Sequence, residues 1–165
     1  MDNHEITLRP PSNLVERRAV GWWTTQTLLA ALSPVLVLVL LAVLITPARQ
    51  WLLLSAALIG VPGLVVTLVL PVWRYRVHRW EVTGDAVYTR SGWIRQTWRV
   101  APLSRIQTVD TVRGPLQQVF KLSAVTITTA SAAGPIRIDG LDHEFARTLV
   151  EQLVVLTPGT QGDAT

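Results

Sequence analysis

Three histidines are the first residues to consider for chemistry, because imidazole titrates near neutral pH and ligates transition metals. His4, His78 and His143 stand far apart and share no short motif, and the chain has no cysteine. No zinc or other transition-metal site is expected, and each imidazole reads as a solvated side chain. Asp110, Asp139, Asp142, Glu144 and Glu151 are scattered over loops and strand ends. Asp142 and Glu144 are two apart and do not share a helix face, so no spacing assembles a general acid–base pair. Ser91-Gly92 and Ser131 lack the Gly-x-Ser-x-Gly frame of a nucleophile elbow. Gly60 and Gly63 lie in an apolar stretch, and the remaining glycines from Gly84 to Gly159 are isolated turn residues, so there is no phosphate loop. The sequence therefore implies no catalytic residue, no metal ligand and no cofactor.

What remains is charge and aromatic surface. Fourteen of the fifteen basic residues are Arg, and the formal net charge is +4, without a long basic run. Nucleic acid is not an expected partner, because that would need a dense basic stripe interleaved with aromatics. Arg74, Arg76 and Arg79 follow an apolar segment immediately. Within a Debye length of a bilayer such residues contact anionic lipid headgroups and gain about 1 kcal/mol each. Trp80, Trp93 and Trp98 are many for a small domain; at least two belong in a core. Trp93 and Trp98, with Gln117, are the expected partner face.

The elements that carry these residues divide the chain in two. From Ala19 to Trp73 there is one charge, Arg49. Leu28 to Ile45 is uncharged, and as a helix spans about 27 Å, close to a hydrocarbon core. Trp22 and Trp23 precede it at interfacial depth. Pro34 lies inside, tolerable where its freed carbonyl finds another donor. Trp51 to Trp73 is uncharged with Trp at both ends, and Gly60, Pro62 and Gly63 predict a bend. Five residues, Thr46 to Gln50, leave room only for a tight turn. The expectation is a transmembrane hairpin over 19–73, with spans near 22–45 and 51–73. Arg17, Arg18, Arg74, Arg76 and Arg79 flank it on one side and Arg49 alone lies on the other, which places both termini in the cytoplasm of a bacterial plasma membrane. Small residues Ala57, Gly60 and Gly63 allow close helix packing, within the hairpin or to another chain.

Residues 1–18 read as a cytoplasmic tail. From Tyr75 the period is two, and strands are expected over 75–82, 87–90, 93–100, 106–112, 122–129 and 135–139. Leu116 to Phe120 forms a helical turn or a loop that packs Leu116, Val119 and Phe120 inward. Asp142 caps a terminal amphipathic helix that ends near Leu156. Residues 157–165 read as a disordered tail, so the soluble domain covers 74–156.

The soluble segment resembles the bacterial pleckstrin-homology-like domain family of the YdbS type. The resemblance rests on Arg105, Ile106, Gln107 and Val109, then Gly114, Leu116, Gln117, Phe120 and Leu122, with Glu81-Val82-Thr83, Gly92 and Trp93 upstream. Two spans before the domain are typical of it. Lys121 stands where the family has Gly, a residue that reaches positive φ without the strain Lys would bear. The resemblance implies a membrane hairpin followed by a mainly β PH-like domain, a partly open barrel or sandwich of seven strands, closed by a C-terminal helix. It brings no established catalytic site. The function expected is a non-enzymatic, membrane-anchored interaction module, or a subunit of a membrane complex, with the lipid bilayer and a membrane protein or a second copy as partners. The alternative is an anionic-lipid-sensing domain that uses the juxtamembrane Arg residues.

Overall fold

The computed structural model describes residues 11–92, 96–131 and 134–156. The segment up to residue 10, Trp93, and the tail expected over 157–165 lie outside the described residues. The chain forms two compact units, one over Arg17–Tyr75 and one that joins the segment ending at Glu16 to the chain from Arg76 onward.

The first unit is a helical hairpin. Helix α1 (Arg18–Leu44) and helix α2 (Arg49–Val77) flank a short 3-10 turn, Thr46–Ala48. Both helices are long and apolar enough to cross a membrane, with mean hydropathy of 2.8 and 2.4. Little of their surface is buried, and Leu36, Leu40, Leu58 and Leu68 are all more than half exposed. A core helix of a soluble protein would hide such side chains, whereas a lipid-facing helix leaves them to acyl chains. The polar residues of α1 satisfy themselves, since Thr24, Thr25 and Thr27 donate to the carbonyls of Val20, Gly21 and Trp23. Pro34 supplies no N–H to the carbonyl of Ala30, and the Ser33 hydroxyl donates to that oxygen at 3.3 Å. Helix α2 is α-helical without interruption through Gly60, Pro62 and Gly63.

The second unit is a β domain of two antiparallel sheets. The first contains β1 (Asn13–Leu14), β2 (Arg79–Val82), β3 (Ala86–Ser91) and β4 (Thr97–Pro102), in that order. The second contains β5 (Ile106–Val112), β6 (Leu122–Thr129) and β7 (Ile136–Asp142). The Glu16 N–H donates to the Gly140 carbonyl at 2.9 Å, which joins the end of the β1 segment to β7. Strands β4 and β5 do not pair, so the barrel stays open there. The inward side chains Val87, Ala101, Val125, Ile127, Ile136 and Ile138 are buried. Helix α4 (His143–Leu156) buries Ala146, Leu149 and Leu153 at helical spacing. Asp142 caps it, its Oδ1 accepting the N–H groups of Glu144 and Phe145 at 3.0 and 3.4 Å.

Three local expectations change. The helix of span two runs to Val77, so the first strand after it begins at Arg79 instead of Tyr75. Arg74, Tyr75 and Arg76 are compatible with helix, and no cap or glycine stops it earlier. Within the expected tail, Asn13 and Leu14 form an edge strand against Trp80 and Arg79. Helix α3 (Pro115–Val119) turns Val119 outward, 76% exposed, and Gln117 inward, 3% exposed.

Candidate functional site

The alternation of β2, β3 and β4 separates two surfaces. Trp80, Thr89 and Val87 lie on the buried side. On the outer side the register places Leu14 opposite Arg79, Arg79 opposite Arg90, and Arg90 opposite Trp98. One row across all four strands thus carries two arginines between two exposed apolar residues; Leu14 is 42% and Trp98 41% exposed. The Arg90 guanidinium lies 5.0 Å from the Trp98 ring centroid, a cation–π contact, and donates to Gln96 Oε1 at 2.6 Å. Glu81, two positions beyond Arg79 on the same face, accepts the Ser12 N–H at 3.0 Å.

The residues singled out in the sequence are divided by the structure. Arg74 lies within α2, its guanidinium carbon 4.5 Å above the ring centroid of Trp23 in the same hairpin. Arg76 is exposed near the end of α2, and Arg79 opens β2. Trp98 is on the outer face, Trp80 is buried, and Trp93 lies outside the described residues. Gln117 does not stand on a surface. Its Oε1 accepts the Gly114 N–H at 2.8 Å, which caps the first turn of α3. That is a folding role, and the reason its side chain is turned inward.

The motif behind the family resemblance builds one corner of the β domain. The Arg105 carbonyl accepts the Ala130 N–H at 3.2 Å. Ile106 is buried, Gln107 sits exposed where the β5–β6 register slips, and Val109 pairs with Ile127. Gly114 is the N-cap of α3, Leu116 and Phe120 are half-buried, and Leu122 is fully buried. Lys121 holds a φ of +54°, the left-handed conformation expected of the glycine it replaces.

Two histidines depart from a solvated reading. His78 is buried, and His143 lies half-buried with its Nδ1 3.0 Å from the Ser123 Oγ. A hydroxyl beside an imidazole is the arrangement of an activated nucleophile. Ser123 is fully buried, however, so no substrate carbon can approach its Oγ. No three acidic or histidine side chains gather as a metal site among the described residues. A cleft of about 640 Å³, open to solvent, runs between Leu14, Glu16, Trp80, Asp142 and Phe145 and is of mixed polarity.

Comparison with known proteins agrees with this anatomy. The model of a bacterial PH domain family matches residues 24–154. The UPF0699 transmembrane protein YdbS of Bacillus subtilis (strain 168) is 28% identical over 157 residues, covering 93% of this chain and 97% of the relative. No solved structure matches.

Proposed function

The chain belongs to the bacterial PH domain family, and on that premise we propose that it is a non-enzymatic, membrane-anchored interaction module acting as a subunit of a membrane complex. The observation that carries this reading is the tether. Helix α2 ends at Val77 and β2 starts at Arg79, so a single residue separates a membrane helix from the first strand after it. At no more than about 3.6 Å per residue, such a link keeps the first strand within a few ångströms of the end of the membrane helix and so lowers the translational freedom lost on docking to a membrane-bound partner. Both termini lie on the cytoplasmic side in this reading, as the Arg flanks favour. The docking face in this reading is the outer row around Trp98, where Trp98 and Arg90 contact each other, both of residue types enriched at interfaces.

The experiment is photo-crosslinking in native membranes from position 98 of the full chain. A reproducible adduct with a membrane protein is expected. Only lipid adducts, or only uncrosslinked chain, would remove the reading. A second reading, binding of anionic headgroups by the juxtamembrane arginines, is favoured by the exposure of Arg76. It predicts that Arg76→Gln weakens association of the β domain with anionic lipid, and that neutral lipid shows no such effect.

A further inference from the structure

In chain order the membrane hairpin is inserted between two paired strands. Helix α1 follows β1 and helix α2 precedes β2, and these strands pair antiparallel, with Asn13 opposite Trp80 and Leu14 opposite Arg79. One residue, Arg17, separates Glu16 from the start of α1, and one, His78, separates the end of α2 from β2. Residues 11–16 also close the seam between the two sheets. On one side they bond to β2, through the ladder and through the Ser12 N–H, which donates to Glu81 Oε2 at 3.0 Å. On the other side the Glu16 N–H donates to the Gly140 carbonyl of β7 at 2.9 Å. Val15 is 4% exposed and lines a small recess with Trp80 of β2 and Ile138 of β7, so its side chain sits between the sheets.

The hold on this segment is slight. Strand β1 has two residues, and Ser12, Asn13 and Leu14 are all exposed. Strand β6, by contrast, has eight residues and is paired on both sides. An element with few buried contacts and solvent-exposed hydrogen bonds opens locally while the rest of the domain stays folded. Its release leaves one edge of β2 and one edge of β7 with unpaired N–H and C=O groups, the kind of edge that pairs with another chain.

We propose that residues 11–16 are a conformational latch that couples the packing of α1 on α2 to the closure of the β domain. Paired strands hold only at a separation of about 4.8 Å. Each connecting residue extends by no more than about 3.6 Å, so the two junctions have little slack to absorb a change in helix spacing. Close packing of the two helices favours the seated latch, and helices forced apart favour the released one. The hairpin thereby biases a two-state element of the β domain, which is what coupling between them requires. The device does not depend on the docking face around Trp98, since it acts within one chain.

The test is amide hydrogen exchange on the full chain in phosphatidylcholine nanodiscs. Gly63 provides the means to move the helices, because a Cβ there would lie 2.9 Å from the Ala31 Cβ and Gly63→Leu must push them apart. The chain has no cysteine, so Leu14→Cys with Arg79→Cys gives a single cross-strand disulfide that pins the latch. In the wild type the Glu16 amide should exchange faster than those of Val125 and Ile127 on β6. Gly63→Leu should speed Glu16 exchange about tenfold and leave β6 unchanged. Gly63→Ala should act in the same direction and more weakly, and Gly60→Ala should have no effect. The closed disulfide should slow Glu16 exchange and abolish the effect of Gly63→Leu, whereas the reduced pair should not. Unchanged Glu16 exchange in both Gly63 variants, or an acceleration shared equally by β6, would overturn the proposal. An effect of Gly63→Leu on Glu16 that survives the closed disulfide would do the same, because the signal would not pass through the latch.

Discussion

Gly63 of α2 faces Ala31 of α1 so closely that a Cβ added to the glycine would lie 2.9 Å from the alanine Cβ. Real methyl groups do not approach to that distance, so the hairpin interface at this point exists because one side has no side chain. Gly63→Ala should therefore destabilise the hairpin by about 1–3 kcal/mol, the usual cost of overpacking, and Gly63→Leu by more. Gly60 provides the comparison, because a Cβ there would meet the nearest Val35 methyl carbon at 3.4 Å, close to an ordinary contact. Gly60→Ala should be nearly neutral. Ala31→Gly in the Gly63→Ala background should restore much of the loss, which titration of the full chain with denaturing detergent would read as a double-mutant cycle.

Lys121 pairs an unfavourable backbone with a useful position. It follows α3 at φ +54°, its N–H donates to the Gln118 carbonyl at 3.1 Å and its carbonyl accepts the His143 N–H at 3.2 Å. An L-residue in this conformation carries about 1–2 kcal/mol of strain that glycine avoids. Part of that relief is offset by the freer unfolded chain that glycine gives. Lys121→Gly should raise the stability of the β domain by about 0.5–1 kcal/mol. Lys121→Ala, which keeps the Cβ, should give no such gain. Thermal unfolding of the two variants in the same detergent distinguishes them.

The contrast between these two sites shows what the sequence makes legible. The hairpin is readable because a long charge-free stretch with terminal Trp residues has no soluble explanation, and the strained turn is readable because Lys stands where the family resemblance expects Gly. The opposition of Arg79 and Arg90 is not readable, because it is set by a pairing between residues eleven positions apart whose register depends on the whole hairpin. Strand β1 is two residues long and has no alternation of its own, so only its partners Trp80 and Arg79 define it. In α3, the apolar type of Val119 suggests an inward side chain and the polar type of Gln117 an outward one. Helical geometry and the need to cap Gly114 reverse both.

Gln117 accordingly yields a prediction about stability, with no effect expected on partner binding. Gln117→Ala removes the acceptor for the Gly114 N–H and leaves space in the interior, at a cost of about 1–2 kcal/mol. The loss should appear as faster amide exchange across α3 and the start of β6. At conditions where the variant stays folded, crosslinking from position 98 should be unchanged. A variant that keeps its exchange protection and loses its crosslinks would return Gln117 to the docking face.

The Ser123–His143 pair invites an enzymatic interpretation that its burial opposes. The Oγ–Nδ1 distance of 3.0 Å is that of a nucleophile and its base, but Ser123 is fully buried on β6 at the start of a strand that is itself core. A fluorophosphonate probe needs access to the hydroxyl and room for a tetrahedral phosphorus. The folded chain should therefore not be labelled at Ser123. The pair should instead contribute to folding, because His143 is the first residue of α4 and the bond fixes that helix to β6. Ser123→Ala removes the hydroxyl and leaves a half-buried imidazole nitrogen without its partner, a cost of about 1 kcal/mol with little change in packing volume. Labelling of the native chain at Ser123, abolished in Ser123→Ala, would show that the hydroxyl is reached by substrates and that the non-enzymatic reading of the domain is mistaken.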